Sequence, residues 1–340
     1  MKSAVLQEPR KFAVLERPIP IAGAGEVVVR IAATAVCHTD LGMYLGHHPG
    51  LRYPVVLGHE ATGTVSSVGA GVQELQEGQN VIINPVVSCG HCDCCRRGDE
   101  NLCRNAGIIG REFEGSLSQY IRVAARNVHS LPSHVPLAEA TLIETLATVR
   151  HAQLRAGITA ADRVVVLGQG TTGLLHTRLA VLAGAKQVIA VSRTPWKVDL
   201  ATRMGAHHVM KASVETAANE VREWTGGDGA DVILDTVGGT PTLRTGIDML
   251  RPGGRFVSFS LSNEEFSGLS GFLLYFKEIT IIGARALKDV DMTPAIELVA
   301  SGKIDPSSFI TARYALDRVA EAFDEYERNP SGVLRIIIDA

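Results

Sequence analysis

Apolar positions along this chain fall into two textures. Before about Ala147 they come in short runs broken by turn residues. Glu26-Val27-Val28-Val29-Arg30-Ile31 predicts a strand, Gly58 to Val68 and Val81 to Val87 continue the pattern, and Gly69, Gly71 and Gly78 mark turns. That stretch reads as a β-rich, loop-bearing domain. After Ala147, continuous β-branched runs alternate with helical segments. Predicted strands are Arg163 to Leu167, Val188 to Val191, Val232 to Leu234, Phe256 to Phe259 and Ile279 to Ile282, and Gly173 to Ala183 reads as a helix. Strands apolar on both faces and separated by helices predict a parallel sheet covered on both sides, an α/β architecture. The end of the chain predicts helices near Pro294 to Ser301 and Leu316 to Arg328 and a strand over Leu334 to Ile338. Gly and Ser between Ser262 and Gly271 predict a loop. The apolar run Phe272 to Phe276 behind it is core or a subunit contact, and the pattern favours core.

The chain has 340 residues, which favours two domains over one. Net charge is −3 with both signs dispersed, so neither nucleic acid nor an acidic tail is indicated. Met1 to Arg10 lacks the pattern of a signal peptide, and no apolar run is long enough to span a bilayer. A cytoplasmic enzyme acting on a small molecule is the expectation.

The cysteines sharpen this picture. Cys89, Cys92, Cys95 and Cys103 form C-x2-C-x2-C-x7-C, with Cys94 a spare between two of them. A disulfide framework would spread its cysteines along the fold, whereas four thiolates on one short loop match a closed tetrahedral zinc site.

Gly168-Gln169-Gly170-Thr171-Thr172-Gly173 is G-x-G-x-x-G between a predicted strand and a predicted helix, the context of a dinucleotide site. Gly168 permits the turn, Gly170 lets backbone approach a pyrophosphate, and Gly173 lets helix and strand pack closely. The helix start offers N–H groups and positive dipole to phosphates. About 20 residues on, an NAD site usually carries an acid for the ribose 2′-hydroxyl. Ser192 stands there, followed by Arg193, with Lys197 adding charge. A hydroxyl and a guanidinium suit a 2′-phosphate, so NADP(H) is expected over NAD(H).

Cys37 and His59-Glu60 supply soft, borderline and hard donors for a second zinc. Gly58-His59-Glu60 with Gly63 and Val65, the cysteine loop and the late glycine motif follow one another in that order. The chain thereby resembles the zinc-containing medium-chain alcohol and polyol dehydrogenases over nearly its whole length. The resemblance implies that Cys37 and His59 bind the catalytic zinc, with Glu60 able to ligate or swing away. It places Glu144 where many alcohol dehydrogenases have a third, cysteine ligand, as in the polyol branch. Whether Glu60 or Glu144 binds directly is open. Thr39 corresponds to the hydroxyl beside the substrate oxygen and His38 to a position near the cofactor pyrophosphate. Gly42 replaces the outer relay histidine, for which His47, His48 or solvent would have to substitute.

The resemblance further implies a GroES-like catalytic domain, residues 1–147 and 285–340, with a Rossmann doubly wound domain, residues 148–284, inserted in it. The cysteine loop becomes its structural zinc lobe, giving two zinc ions per chain, and the active site should lie in the cleft between the domains. Hydride would pass between NADP(H) and an alcohol or polyol, or the matching ketone or aldehyde. A homodimer or homotetramer is implied, with Ile279 to Ile282 and Phe272 to Phe276 as candidate contacts. Two competing readings are a zinc-free quinone or alkene reductase, which would lack these ligands, and a non-catalytic NADP(H)-binding redox sensor, which would need no open metal site.

Overall fold

The computed structural model describes residues 1–48, 50–261, 264–265 and 269–340. It divides into two compact units, Met1–Ala147 with Leu287–Ala340, and Thr148–Ala286.

In the first unit Glu26–Val36 is the organising strand. It is almost wholly buried and pairs antiparallel with Glu60–Val68, Tyr120–Ala124 and Arg335–Asp339. Among the described residues the sheet runs Val128–Ser130, Asn80–Ile83, Glu60–Val68, Glu26–Val36, Arg335–Asp339, Ile310–Ala315. The last chain segment therefore closes the sheet begun by the first. A smaller sheet joins the hairpin Lys2–Glu8 and Lys11–Glu16 to Val55–Val56. Its inner residues, including Leu6 and Val56, pack with Met43, Phe323 and Ile336.

The second unit is a parallel sheet in the order His208–Lys211, Gln187–Ser192, Arg163–Leu167, Ala230–Asp235, Leu250–Ser258, Thr280–Gly283. Alternate residues of one strand serve two cores. Val165 and Leu167 face the cluster with Ile233 and Phe256, while Val164 and Val166 face the cluster with Ala180 and Val232. The continuous apolar runs are thus explained by burial on both faces.

One expectation is overturned. Phe272, Tyr275 and Phe276 are 73%, 83% and 71% exposed, not core. They lie on the helix Gly271–Lys277, where positions i, i+3 and i+4 share a face. Only Leu273 and Leu274 turn inward. Phe272 and Phe276 stack on each other with centroids 5.5 Å apart. The loop expected over Ser262 to Gly271 lies partly outside the described residues. No helix among the described residues is long and apolar enough to cross a membrane.

Candidate functional site

Sheet register brings the second metal-ligand set together. Ala35 pairs with Glu60, so Cys37, just past the end of one strand, stands beside His59, just before the start of the other. Cys37 caps the helix His38–Tyr44, and its backbone N–H donates to Asp40 Oδ2 at 3.0 Å. The other oxygen of Asp40 accepts the Gly58 N–H at 3.2 Å and lies 3.3 Å from His59 Nδ1. One fully buried carboxylate therefore orients both Cys37 and His59. Gly58 has φ 95°, and a Cβ there would sit 2.8 Å from Ser116 Oγ, so this approach requires glycine.

Sulfur, imidazole nitrogen and carboxylate oxygen of Cys37, His59 and Glu60 lie within 4.8 Å of one another. The mixed soft and hard donors, His59 and Glu60 buried and Cys37 half-buried, fit a zinc ion with one position left for substrate. Glu144 is not in that set among the described residues. It stands on the first turn of the helix Leu142–Ala156 and is buried, close enough to feel the charge of Glu60.

The charges show why this group suits a cation. Burial, then the charge of Glu60, pushes the Glu144 carboxyl up to about 8. Burial and Glu60 also raise the Cys37 thiol. Burial disfavours a charged His59, but Asp40 and Cys37 outweigh it and lift the imidazole well above its ordinary value. These groups retain protons that a bound cation would displace. Glu60 is held from behind: Arg335 Nη2 lies 2.5 Å from Oε2, and Thr145 Oγ1 donates to Oε1 at 3.0 Å. Arg335 also donates to the hydroxyls of Thr145 and Thr141.

Asp40, Thr145 and Arg335 were not among the sequence-derived candidates. For Asp40 the spacing of a helix cap three residues after Cys37 was an available signal. For Arg335, 190 residues from Thr145, no local signal exists.

The cysteine loop builds a different cage. The sulfur separations Cys89–Cys103, Cys92–Cys95, Cys92–Cys103 and Cys89–Cys95 are 3.5, 3.5, 3.8 and 3.9 Å. A tetrahedron with zinc–sulfur bonds of about 2.3 Å has edges of about 3.8 Å, so the cage fits the ion. Backbone N–H groups of Cys89 and Asn105 donate to Cys103 Sγ, each at 3.3 Å. Backbone donors from Cys95 and Arg104 pull Cys92 down to about 5. Cys94 stands outside the cage, beside Arg97.

In the second unit, Gly168 follows the strand Arg163–Leu167 with φ 87°, and a Cβ there would lie 2.7 Å from Thr236 Oγ1. A Cβ at Gly173 would run into the Gly168 carbonyl, whereas Gly170 opens onto free space. Gly170 caps the helix Thr171–Leu182, so Thr171 and Thr172 form its first turn. Ser192 ends the strand Gln187–Ser192, buried, its hydroxyl accepting from Thr194 N at 3.2 Å. Arg193 is exposed beside it, and Lys197 is buried with its ammonium 5.3 Å from the Trp196 ring. Burial lowers the Lys197 pKa. Back in the first unit, Thr39 is half-buried on the first turn after Cys37, and exposed His38 meets Tyr326 edge-on. His47 is exposed and His48 half-buried beyond that helix.

Two family models match the chain: the alcohol dehydrogenase GroES-like domain over residues 23–133 and the zinc-binding dehydrogenase over residues 171–301. A sorbitol dehydrogenase from Halalkalibacterium halodurans is 32% identical, covering 92% of this chain and 91% of its own length. Among solved structures, the RspB alcohol dehydrogenase from E. coli CFT073, complexed with NADH, superposes with TM-score 0.93 at 29% identity, covering 100% of this chain and 99% of its own. A zinc-binding dehydrogenase from Sinorhizobium meliloti 1021, bound to NADP, gives 0.91 at 28% identity with the same coverage.

Proposed function

The chain belongs to the zinc-containing medium-chain alcohol and polyol dehydrogenases, a family of oxidoreductases, and on that premise we propose that it moves hydride between NADP(H) and an alcohol or polyol, or the matching ketone or aldehyde. The observation that carries this reading is the convergence of half-buried Cys37 with buried His59 and Glu60. Cys37, His59 and Glu60 would hold a zinc ion, which would supply Lewis acidity to the substrate oxygen while a bound nicotinamide would supply or accept the hydride. Thr39 carries the proton that joins or leaves that oxygen. Asp40 fixes the His59 ring, the carboxylate–histidine support common behind zinc ligands. Glu144, buried and within reach of the charge of Glu60, is the carboxylate that would exchange with it as a ligand. Gly168, Gly170 and Gly173 with the turn of Thr171 and Thr172 cradle the pyrophosphate, with His38 beside it. Cys89, Cys92, Cys95 and Cys103 hold a second zinc that braces the loop. Reduced thiols at that spacing fit the cytoplasm.

The cofactor preference rests on Ser192 and Arg193, where an acid would repel a 2′-phosphate. Known neighbours include both an NADH and an NADP complex, so fold alone does not decide it. Arg193→Asp is expected to lose ~10–100-fold in kcat/KM for NADPH and gain little loss with NADH. Equal efficiency of the wild-type protein with both cofactors would overturn the preference.

The outward face of Phe272, Tyr275 and Phe276, beside the edge strand Thr280–Gly283, suits a second copy of the chain in a homodimer or homotetramer. Phe276→Asp should yield monomer by light scattering. An unchanged mass would place the contact elsewhere.

A further inference from the structure

A cavity of 490 Å³ opens in the first unit between His48 with the segment from Gly50 to Val55 on one side and the segment from Arg111 to Glu114 on the other. Its charges are not balanced. Arg111 Nε is paired with Glu112, whose other oxygen accepts the Ile108 N–H at 2.8 Å. Glu114 is taken by Arg17 at 2.8 Å. Both acids in the lining are thus neutralised. Arg52 has no hydrogen-bond or ion-pair partner among the described residues. The cavity keeps one uncompensated cation, a second guanidinium with donors beyond its Nε, and the His48 side chain.

This cavity is tied to the metal-ligand segment. Gly115 N donates to Val56 O at 2.9 Å, Leu117 N to Leu57 O at 2.9 Å, and Ser116 N to Gly58 O at 3.0 Å. The two walls are therefore clamped together immediately before His59. Val55 and His59 are four residues apart, so at most about 14 Å of extended backbone separates the lining from the first imidazole ligand. Phe113, 46% exposed, gives an apolar surface for a carbon chain.

We propose that Arg52 and Arg111 form an anion subsite that receives a carboxylate or phosphate at the far end of the substrate, making the substrate an acidic or phosphorylated polyol. This deepens the dehydrogenase reading and rests on it. Guanidinium groups bind both anions through charge-assisted paired donors, and Arg52 requires no existing ion pair to be broken.

The test compares sorbitol, gluconate and sorbitol 6-phosphate as substrates for the full-length zinc-loaded enzyme, with either nicotinamide cofactor. An anionic member should exceed sorbitol in kcat/KM, mainly through KM. Arg52→Ala should reduce that ratio ~10–100-fold, and Arg52→Lys should restore part of it. Which anion gains more identifies carboxylate or phosphate. Equal kcat/KM for all three, or an Arg52→Ala loss that is the same for each, overturns the subsite. Calorimetric titration of inorganic phosphate and of gluconate into wild type and Arg52→Ala separates the two readings. Saturable binding that Arg52→Ala abolishes, without turnover of any substrate, would support the subsite and sink the dehydrogenase. Turnover of sorbitol with no anion binding would do the reverse.

Discussion

The two candidate metal centres are built in opposite ways. The cysteine cage draws all four donors from one loop, Cys89 to Cys103, and orients them with backbone N–H groups of that loop. The Cys37 centre draws its donors from two strand ends and its support from Asp40, Thr145 and Arg335, the last at the other end of the chain. Three of the four cage cysteines are half-buried, whereas His59, Glu60 and their supports lie inside the protein. The cage can therefore form from local sequence, and a metal in it would hold a loop. The other centre comes together only when the first unit has folded, and burial there pushes the Glu144 carboxyl and the Cys37 thiol toward their protonated forms. A site that is complete in itself suits structure, and a site with an open position and titratable walls suits chemistry.

The largest expected effect is on turnover. Cys37→Ser should lower kcat by ~10³-fold or more while leaving the far-ultraviolet circular dichroism and the melting transition of the zinc-braced loop intact, since it removes a ligand of the Lewis acid. Cys103→Ser should do the opposite, lowering thermal stability and soluble yield first. A Cys103→Ser protein that melts normally but has lost turnover would invert the division of labour.

Next comes the support behind Glu60. Arg335→Met leaves a buried carboxylate without its ion pair, which costs about 3–5 kcal/mol in denaturant unfolding of the first unit. Glu60→Gln in the same chain should recover much of that loss, because the stranded charge is then gone. If the double variant is no more stable than Arg335→Met, packing around the guanidinium and not charge is the cause.

A smaller effect separates the centres by pH. Glu144 and His59 bind protons more tightly folded than unfolded. Their contribution is therefore full below the unfolded values, near 4.5 and 6.5, and is lost as pH rises through the folded ones. The metal-stripped protein should lose melting temperature between about pH 5 and pH 8, and Glu144→Gln should flatten part of that slope. Zinc should flatten it more, by displacing the protons. A stripped protein that gains stability over this range would contradict the charge assignment.

The same contrast explains what the sequence reveals. The cysteine loop and the glycine turn are local, so spacing alone exposes them, and the parallel strands announce themselves because both faces are buried. Sequence reasoning was weaker where partners are distant. The strand continues past the expected Ile31 to Val36, over Ala32-Ala33-Thr34-Ala35, which offers no apolar alternation, and of these Ala33 and Ala35 pack with Ile337. The hairpin Lys2–Glu8 with Lys11–Glu16 carries little sequence signal, since its second strand is largely exposed and shows no clear period. The apolar run at Phe272 misled because composition does not say which side of a short helix faces out. Arg335 sits in a strand that reads as apolar, and its meaning comes entirely from Glu60.

The most direct test is a zinc count on wild type and Cys37→Ser, made together with turnover of an alcohol panel. The account predicts about two zinc ions per wild-type chain, and about one in the variant, with turnover gone and the fold kept. Wild-type protein without zinc that still reduces carbonyls, or a Cys37→Ser protein that keeps both ions and full turnover, would contradict it.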